Sequence, residues 1–364
     1  MSVRSATLTP RRGLAFALPP RWLLGWWGIG RAVAIGTALA LKPTVWTLDR
    51  WDGHWYRMVA RGGYLLVPGR QSDPAFFPLY PIMVRGVHAA GIGWGVAGPL
   101  LSNLALLLGL VLFYALTREI FSESLARRAT IYLAIFPLSY VFSMAYPESV
   151  VLVLLTAAPL AAIRRHWWLA TFCAGAAALA RPEGLFLVFP LAGIAWQQRQ
   201  SLTPARRGAA VAAVLAPVAA IASYSLYLAT VLHDPLAWSQ AERAWGRRFR
   251  INGAYHAFAR LSTMVGHNHW LVRDVVFFFL YLALLYAARR AGTPLAWLIA
   301  AAAIVVLPIF TGGFNSIGRF GLLAPPLFWG LAAVTRTKES ERAVRALLLV
   351  LLVLGTLSLA YVFP

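Results

Sequence analysis

Acid–base chemistry in this chain has few places to live. Only twelve carboxylates occur in 364 residues, and three of them, Asp49, Asp52 and Asp73, fall in the stretch Asp49–Tyr80. That stretch also carries Trp51, Trp55, Tyr56, Tyr64, Phe76, Phe77 and Tyr80. It lies between two long apolar runs and is too polar to cross a membrane itself. Asp52, between Trp51 and Gly53, is the foremost candidate. The glycine lets backbone come close, and an unpaired carboxylate beside apolar rings is pushed towards proton acceptance. Asp49, three residues earlier and next to Arg50, is either the working residue instead or a cap for the helix that follows.

Other polar groups stand at the ends of apolar runs. Glu148 in Ala145-Tyr-Pro-Glu-Ser149 reads either as an ordinary helix start after proline or as a polar contact to substrate hydroxyls or an arginine. Arg181 and Glu183 flank Pro182 and can pair with each other. Arg31 lies within an apolar run, where a guanidinium needs a partner: an outer carboxylate, a lipid phosphate or a structural ion pair. Residues 233–270 hold Arg243, Arg247, Arg248, Arg250 and Arg260 among Trp238, Trp245 and Tyr255. Such a surface suits anionic headgroups or a phosphate. Phe314-Asn-Ser-Ile-Gly-Arg-Phe320 opens another apolar run. Helix-start N–H groups beside Arg319 make it the first choice for a phosphate ligand. His267-Asn-His269 is spaced for a turn. No HExxH or other metal spacing, Walker motif or dinucleotide fingerprint occurs, so no metal site or cofactor is expected.

The elements that must position these groups are apolar. The chain is 60% hydrophobic and 12% charged, which excludes an ordinary soluble domain and a disordered one. Runs of membrane-spanning length recur throughout, so the expected fold is an all-α polytopic membrane protein, residues 1–364 as one integral domain. About eleven spans are expected, beginning with Trp22–Leu41, Trp94–Thr117 and Ala129–Ala145, the last kinked at Pro137. Further spans include Trp168–Ala180 and Leu185–Trp196, Gly208–Leu232, Leu271–Ala288, Pro294–Phe310, Phe320–Val334 and Ala346–Phe363. Residues 42–93 form the first outer loop, with short interfacial helices at Asp52–Ala60 and Ile82–Ala90 whose aromatics face lipid. Residues 233–270 form the second. The net charge of +21 falls mostly between spans, so it speaks for topology and membrane lipid rather than nucleic acid. With a cytoplasmic N-terminal tail (Arg4, Arg11, Arg12), every inside segment is basic. Every polar motif above except Arg31 then lands on the extracytoplasmic face of the plasma membrane. The lone Cys173 excludes an internal disulfide and a cysteine zinc site.

Trp51-Asp-Gly-His-Trp-Tyr56, Val59-Ala-Arg-Gly-Gly-Tyr64 and Phe76-Phe-Pro-Leu-Tyr-Pro81 resemble the PIG-V-like mannosyltransferases, and so do the later Ala145–Ser149, Ala180–Gly184, Asp234–Ala237, Trp245–Arg247 and Ser316–Phe320. The resemblance covers nearly the whole chain; its first block is specific, the later ones individually weak. It implies a GT-C-like fold and a polyprenyl-phosphate sugar donor, mannose foremost, used on the outer face. The acceptor would be an extracytoplasmic lipid, glycan or protein. It further implies Asp52 as base in an inverting displacement, with Arg319 and either Arg31 or Arg247 on the leaving phosphate. Trp51, His54, Tyr56, Tyr64, Glu148, Arg181, Glu183 and Asp234 would contact substrate. A transporter or flippase of lipid-linked sugars is the competing class. It would show paired broken helices near the midplane in two repeated halves, whereas here polar motifs gather on one side and no repeat is seen.

Overall fold

A computed structural model describes residues 19–44, 46–261 and 269–360. The expected cytoplasmic tail, His267 and the last residues of the expected final span lie outside them. Among the described residues every regular element is helical. In chain order they are α1 (Arg21–Leu41), α2 (Asp52–Gly62), α3 (Leu79–Ala89), α4 (Trp94–Ile120), α5 (Glu123–Ala134), α6 (Glu148–Ile163), α7 (Trp167–Ala180) and α8 (Val188–Gln198). Then come α9 (Pro204–Leu232), α10 (Ala237–Ala244), α11 (Gly253–Ala259), α12 (His269–Arg290), α13 (Leu295–Val306), α14 (Ile317–Phe320), α15 (Pro325–Val334) and α16 (Lys338–Leu357).

Starts and stops follow local chemistry. The hydroxyls of Ser122 and Thr203 accept the N–H of Leu125 and Arg206 and cap α5 and α9, and Thr337 with Ser340 closes a capping box on α16. By length and composition α1, α4 and α9 are each able to cross a membrane. A fourth crossing is available if α14 with its following turn and α15, bent by 87° at Ala324-Pro325, count as one broken span. The kinked helix expected over Ala129–Ala145 is instead a break. α5 ends at Ala134, and a short 3-10 turn covers Ser139–Ser143. Pro137 lacks an N–H and disfavours helix at the residue before it, so the ladder stops short.

The core runs through the middle of the bundle. Leu106, Leu110 and Phe113 of α4 pack with Val151, Leu152 and Leu155 of α6 in one buried cluster. α7 lies on α9 through Ala170, Ala174 and Ala177 against Ala209, Ala210 and Ala213, small residues that let backbones approach. Tyr56, in the first of the expected interfacial helices, is turned into the protein and not outward. Tyr56, Phe76 and Tyr80 are buried together, ring centroids 5.0 and 5.1 Å from Tyr56, because the Tyr80 hydroxyl finds Ser102 Oγ at 2.8 Å and the Gly98 carbonyl at 3.1 Å. A phenol with two inner partners is worth more inside than at an interface. Residues 46–81 therefore plug the end of the bundle, resting on α4, α6 and α9.

Candidate active site

Asp52 is the first residue of α2, and three features fix it. Trp51 precedes it with φ 56°, a strained backbone for a non-glycine residue that turns the chain sharply into the helix. The Asp52 N–H donates to the Tyr146 hydroxyl at 3.2 Å, and the Ala145 N–H donates to the Leu48 carbonyl at 2.8 Å. Gly53 completes the seat: a Cβ there would stand 3.1 Å from that of Ala145. The loop before α2 is thereby clamped to the segment that starts α6, which brings Asp52 close to Glu148.

Arg319 arrives from the other side. Its short helix α14 starts at Ser316, φ 65°, and that turn is held by one buried carboxylate. Asp274 of α12 accepts the N–H of Ser316 at 3.0 Å and of Gly318 at 2.9 Å, while the Tyr281 hydroxyl donates to the Gly318 carbonyl. So fixed, Arg319 Nη1 lies 2.6 Å from Asp52 Oδ2, across 267 positions of sequence. Its Nε is 3.7 Å from Glu148 Oε1. The network continues. Arg181 Nη1 donates to Glu148 Oε1 at 2.7 Å, and Arg181 also grips Glu183 with two bonds of 3.0 and 2.7 Å. Arg181, Arg247 and Arg319 each place their guanidinium 5.3–5.6 Å from the Phe320 ring centre.

These groups enclose one cavity of about 70 Å³, whose polar lining is Asp52, Tyr56, Arg181, Glu183, Glu242, Arg247 and Arg319. Phe76, Phe77 and Trp245 form its apolar wall. Burial tends to raise the Glu183 carboxyl, but the Arg181 guanidinium outweighs it and holds Glu183 below the usual range. Glu242 goes the other way: burial raises it, and Arg247 only partly offsets that. The cavity thus offers carboxylates of different character beside three guanidinium groups, an arrangement that can take a proton and hold an anion at once.

Of the expected site residues, the structure brings Asp52, Arg319, Arg247, Tyr56, Arg181 and Glu183 to this cavity, with Glu148 directly behind them. It puts the others elsewhere. Arg31 meets no carboxylate within 4 Å among the described residues and does not line the cavity. Its guanidinium donates to the Ala134 and Ser139 carbonyls and to the Ser139 and Ser143 hydroxyls at 2.7–3.1 Å. The break at Pro137 frees the Ala134 carbonyl from the ladder, and Arg31 serves it together with the Ser139 hydroxyl; Gly30, whose Cβ would sit 2.6 Å from the Ala134 oxygen, permits the approach. Trp51 lines a separate recess with Lys42 and Met144. His54 is exposed, its Nδ1 2.9 Å from Arg57. Tyr64 donates to the Phe76 carbonyl at 2.8 Å and faces a neighbouring groove beside Tyr224. Asp234 accepts the N–H of Leu236 at 2.8 Å and bonds Gln240, fastening the start of α10. Asp49 is buried and ion-paired to Arg57 at 2.7 Å, outside the cavity; burial, countered by Arg57, pushes its carboxyl up to about 6.

Sequence reasoning passed over Glu242, Trp245 as cavity wall, and Asp274. Trp245 lies 5.3 Å from Trp55 and 5.8 Å from Phe76, ring centre to ring centre, and so ties the second outer loop to the first. The helical period of α2 was a usable signal: Asp52, Tyr56, Val59 and Ala60 share the inward face, while His54 and Met58 point out.

No family model and no curated protein matches the chain. Among solved structures it is similar to the archaeal oligosaccharyltransferase AglB from Archaeoglobus fulgidus in complex with an inhibitory peptide and a dolichol-phosphate, with TM-score 0.49 and 15% identity over 93% of this chain and 55% of that one. The Archaeoglobus fulgidus oligosaccharyltransferase tethered to an acceptor peptide with the NVT sequon gives the same values. The chain therefore spans about half the length of the structures it matches.

Proposed function

We propose that this chain is an integral-membrane glycosyltransferase that moves a hexosyl unit, mannose foremost, from a polyprenyl-phosphate donor to an acceptor hydroxyl. On this reading the chain crosses the plasma membrane about eleven times with its N-terminus inside. The cavity then opens on the outer face. The observation that carries the proposal is the meeting of Asp52 and Arg319, 2.6 Å apart in one cavity, from segments at opposite ends of the sequence. The motif resemblance suggests the reaction class, and the geometry sets a carboxylate and a guanidinium side by side, the pair such a reaction would use.

The acceptor oxygen attacks the anomeric carbon as the carbon–oxygen bond to phosphate breaks. Asp52 takes the acceptor proton, and the electron pair leaves with the polyprenyl phosphate. One displacement inverts the anomeric centre. Arg319 and Arg247 stabilise the charge that develops on the departing phosphate. In the resting cavity Arg319 occupies an oxygen of Asp52. A phosphate arriving beside Arg319 competes for the guanidinium and frees a carboxylate lone pair for the acceptor hydroxyl. Base and substrate are thereby coupled, so the carboxylate is exposed only when donor is present.

The test is transfer of radiolabelled mannose from a synthetic polyprenyl-phosphate-mannose by purified protein in detergent with extracted envelope acceptors. Wild type is expected to give labelled product and Asp52→Asn a roughly 10²–10⁴-fold lower rate of it. Movement of the donor across sealed vesicles without any transfer would favour a carrier instead.

A further inference from the structure

Beside the polar cavity lies a larger one of about 530 Å³ that shares Pro182, Glu242 and Arg247 with it. The two differ in charge. Around the inner cavity three arginines face Asp52, Glu183 and Glu242, so it is balanced. The outer one carries Arg243, Arg247 and Arg248 against Glu242 alone. Arg243 and Arg248 are exposed, and neither has a carboxylate within 4 Å among the described residues. Arg319, by contrast, is 2% exposed and already engaged with Asp52. An incoming anion meets the outer arginines first.

Size points the same way. A water needs roughly 10–15 Å³ by this measure, so the inner cavity takes about five and suits a reacting centre rather than a whole lipid headgroup. The outer cavity has the room. Its remaining wall includes Trp238 and Phe249, the latter 61% exposed, apolar surface at the edge of a cationic one. That pairing fits a ligand with a charged head and a hydrocarbon body.

We infer that the outer cavity is a receiving site for a lipid-borne phosphate, with Arg243 and Arg248 as its ligands and Arg247 as the shared group that passes the phosphate to the inner cavity. The inference rests on the glycosyl-transfer reading for its purpose, but not for its test. Two sources share this chemistry: a prenyl phosphate, which is the donor's head, and a phosphodiester headgroup, which an acceptor or bilayer lipid would bring.

The test measures binding to the full chain in phosphatidylcholine nanodiscs, with farnesyl phosphate, phosphatidylglycerol and farnesol as separate probes. The Arg243→Gln/Arg248→Gln double variant leaves Arg247 and the inner cavity intact. Charge-assisted contacts to phosphate are strong, so the double variant is expected to weaken phosphate binding about tenfold or more while farnesol is unmoved. Arg243→Lys/Arg248→Lys should restore a large part of it. A loss confined to farnesyl phosphate assigns the site to the donor, and a loss confined to phosphatidylglycerol assigns it to the phosphodiester lipid. Equal binding of both phosphates by wild type and double variant, or no phosphate-dependent binding by wild type, overturns the inference. Because binding is read without turnover, a protein that binds farnesyl phosphate but transfers no sugar would sink the enzyme reading and leave the site standing.

Discussion

Removing either end of the Asp52–Arg319 pair should have unequal effects, and the inequality can be worked from the contacts. Asp52→Asn keeps an oxygen acceptor at the same place, and Arg319 keeps Glu148 at 3.7 Å. The charge left behind is still paired. Arg319→Ala is different: Asp52, 7% exposed, loses the guanidinium at 2.6 Å, while Glu148 retains Arg181 at 2.7 Å. One carboxylate is stranded rather than two. Breaking a buried pair by deleting one partner costs about 3–5 kcal/mol, and the rim position of Asp52 puts this case towards ~3 kcal/mol. For Asp52→Asn the loss should stay near ~1 kcal/mol, that of a charged hydrogen bond replaced by a neutral one. Activity should order the other way in kind. Asp52→Asn, well folded, should lose roughly 10²–10⁴-fold in turnover, the usual worth of a general base. Arg319→Ala should lose both stability and turnover, and Asp52→Asn/Arg319→Ala should be more stable than Arg319→Ala alone because the stranded charge is gone. Thermal unfolding in detergent and single-turnover transfer on the same preparations read both quantities. Asp52→Asn with full turnover, or a double variant no more stable than Arg319→Ala, would refute the reasoning.

Three further outcomes follow from the same contacts. Arg31→Met should lower the unfolding temperature, since it removes a buried guanidinium's hydrogen bonds to the Ala134 and Ser139 carbonyls and the Ser139 and Ser143 hydroxyls, a net loss of about 1.5–3 kcal/mol for a hydrogen bond to a charged group, yet leave the donor KM unchanged; a raised KM would return Arg31 to the substrate. Asp274→Asn turns one acceptor of the Ser316–Gly318 turn towards donation, so the aim of Arg319 should drift; kcat is expected to fall more than the unfolding temperature, and an unchanged kcat would show that the turn holds without it. Asp49, raised from about 3.8 to about 6 by burial against the opposing Arg57, binds more protons folded than unfolded. Its contribution is therefore full below about pH 4 and lost as pH rises through 6. At ~1.4 kcal/mol per pH unit the difference is at most about 3 kcal/mol, so wild type should lose more stability than Asp49→Asn between pH 4 and 7, with turnover of the variant intact; parallel stability curves would contradict this.

What the sequence disclosed and what it hid divide along physical lines. Charge bias between apolar runs assigns Asp52, Glu148, Arg181, Glu183, Arg247 and Arg319 to one expected face, because arginine between spans is a global constraint that needs no contact to be seen. Every one of those residues lies at or directly behind the cavity. Contacts made through the backbone left no such trace. Arg31 reads as an intramembrane charge in search of a counter-ion, yet its partners are carbonyls and hydroxyls on either side of Pro137, more than 100 positions away. Asp274 drew no expectation from the sequence at all. Its decisive partners are N–H groups 42 and 44 positions downstream, which any residue type would offer. Proline breaks shorten several of the expected spans: hydropathy counts residues that tolerate lipid, while a helix of spanning length also needs an unbroken ladder, and Pro137, Pro308 and Pro325 interrupt it.

Those interruptions are where the polar groups gather, and at two of them the reason is the same. A break leaves carbonyls or N–H groups without helical partners inside an apolar bundle, where each must be met by a side chain. Arg31 answers the break at Pro137 and Asp274 answers the turn before α14, while at the Pro182 turn Arg181 bonds the Glu148 and Glu183 carboxylates instead of backbone. Charged residues recruited to satisfy backbone are already desolvated and held in place, the condition that lets a carboxylate and a guanidinium work on a substrate without reorganising. Asp52 is the exception, since its carboxylate meets only Arg319 among the ion pairs and opens on the cavity. On the proposed reading Asp52 is the proton acceptor, and Glu242, which lines the same cavity and meets Arg247 at 3.8 Å, is the carboxylate that would take its place if Asp52→Asn kept full turnover.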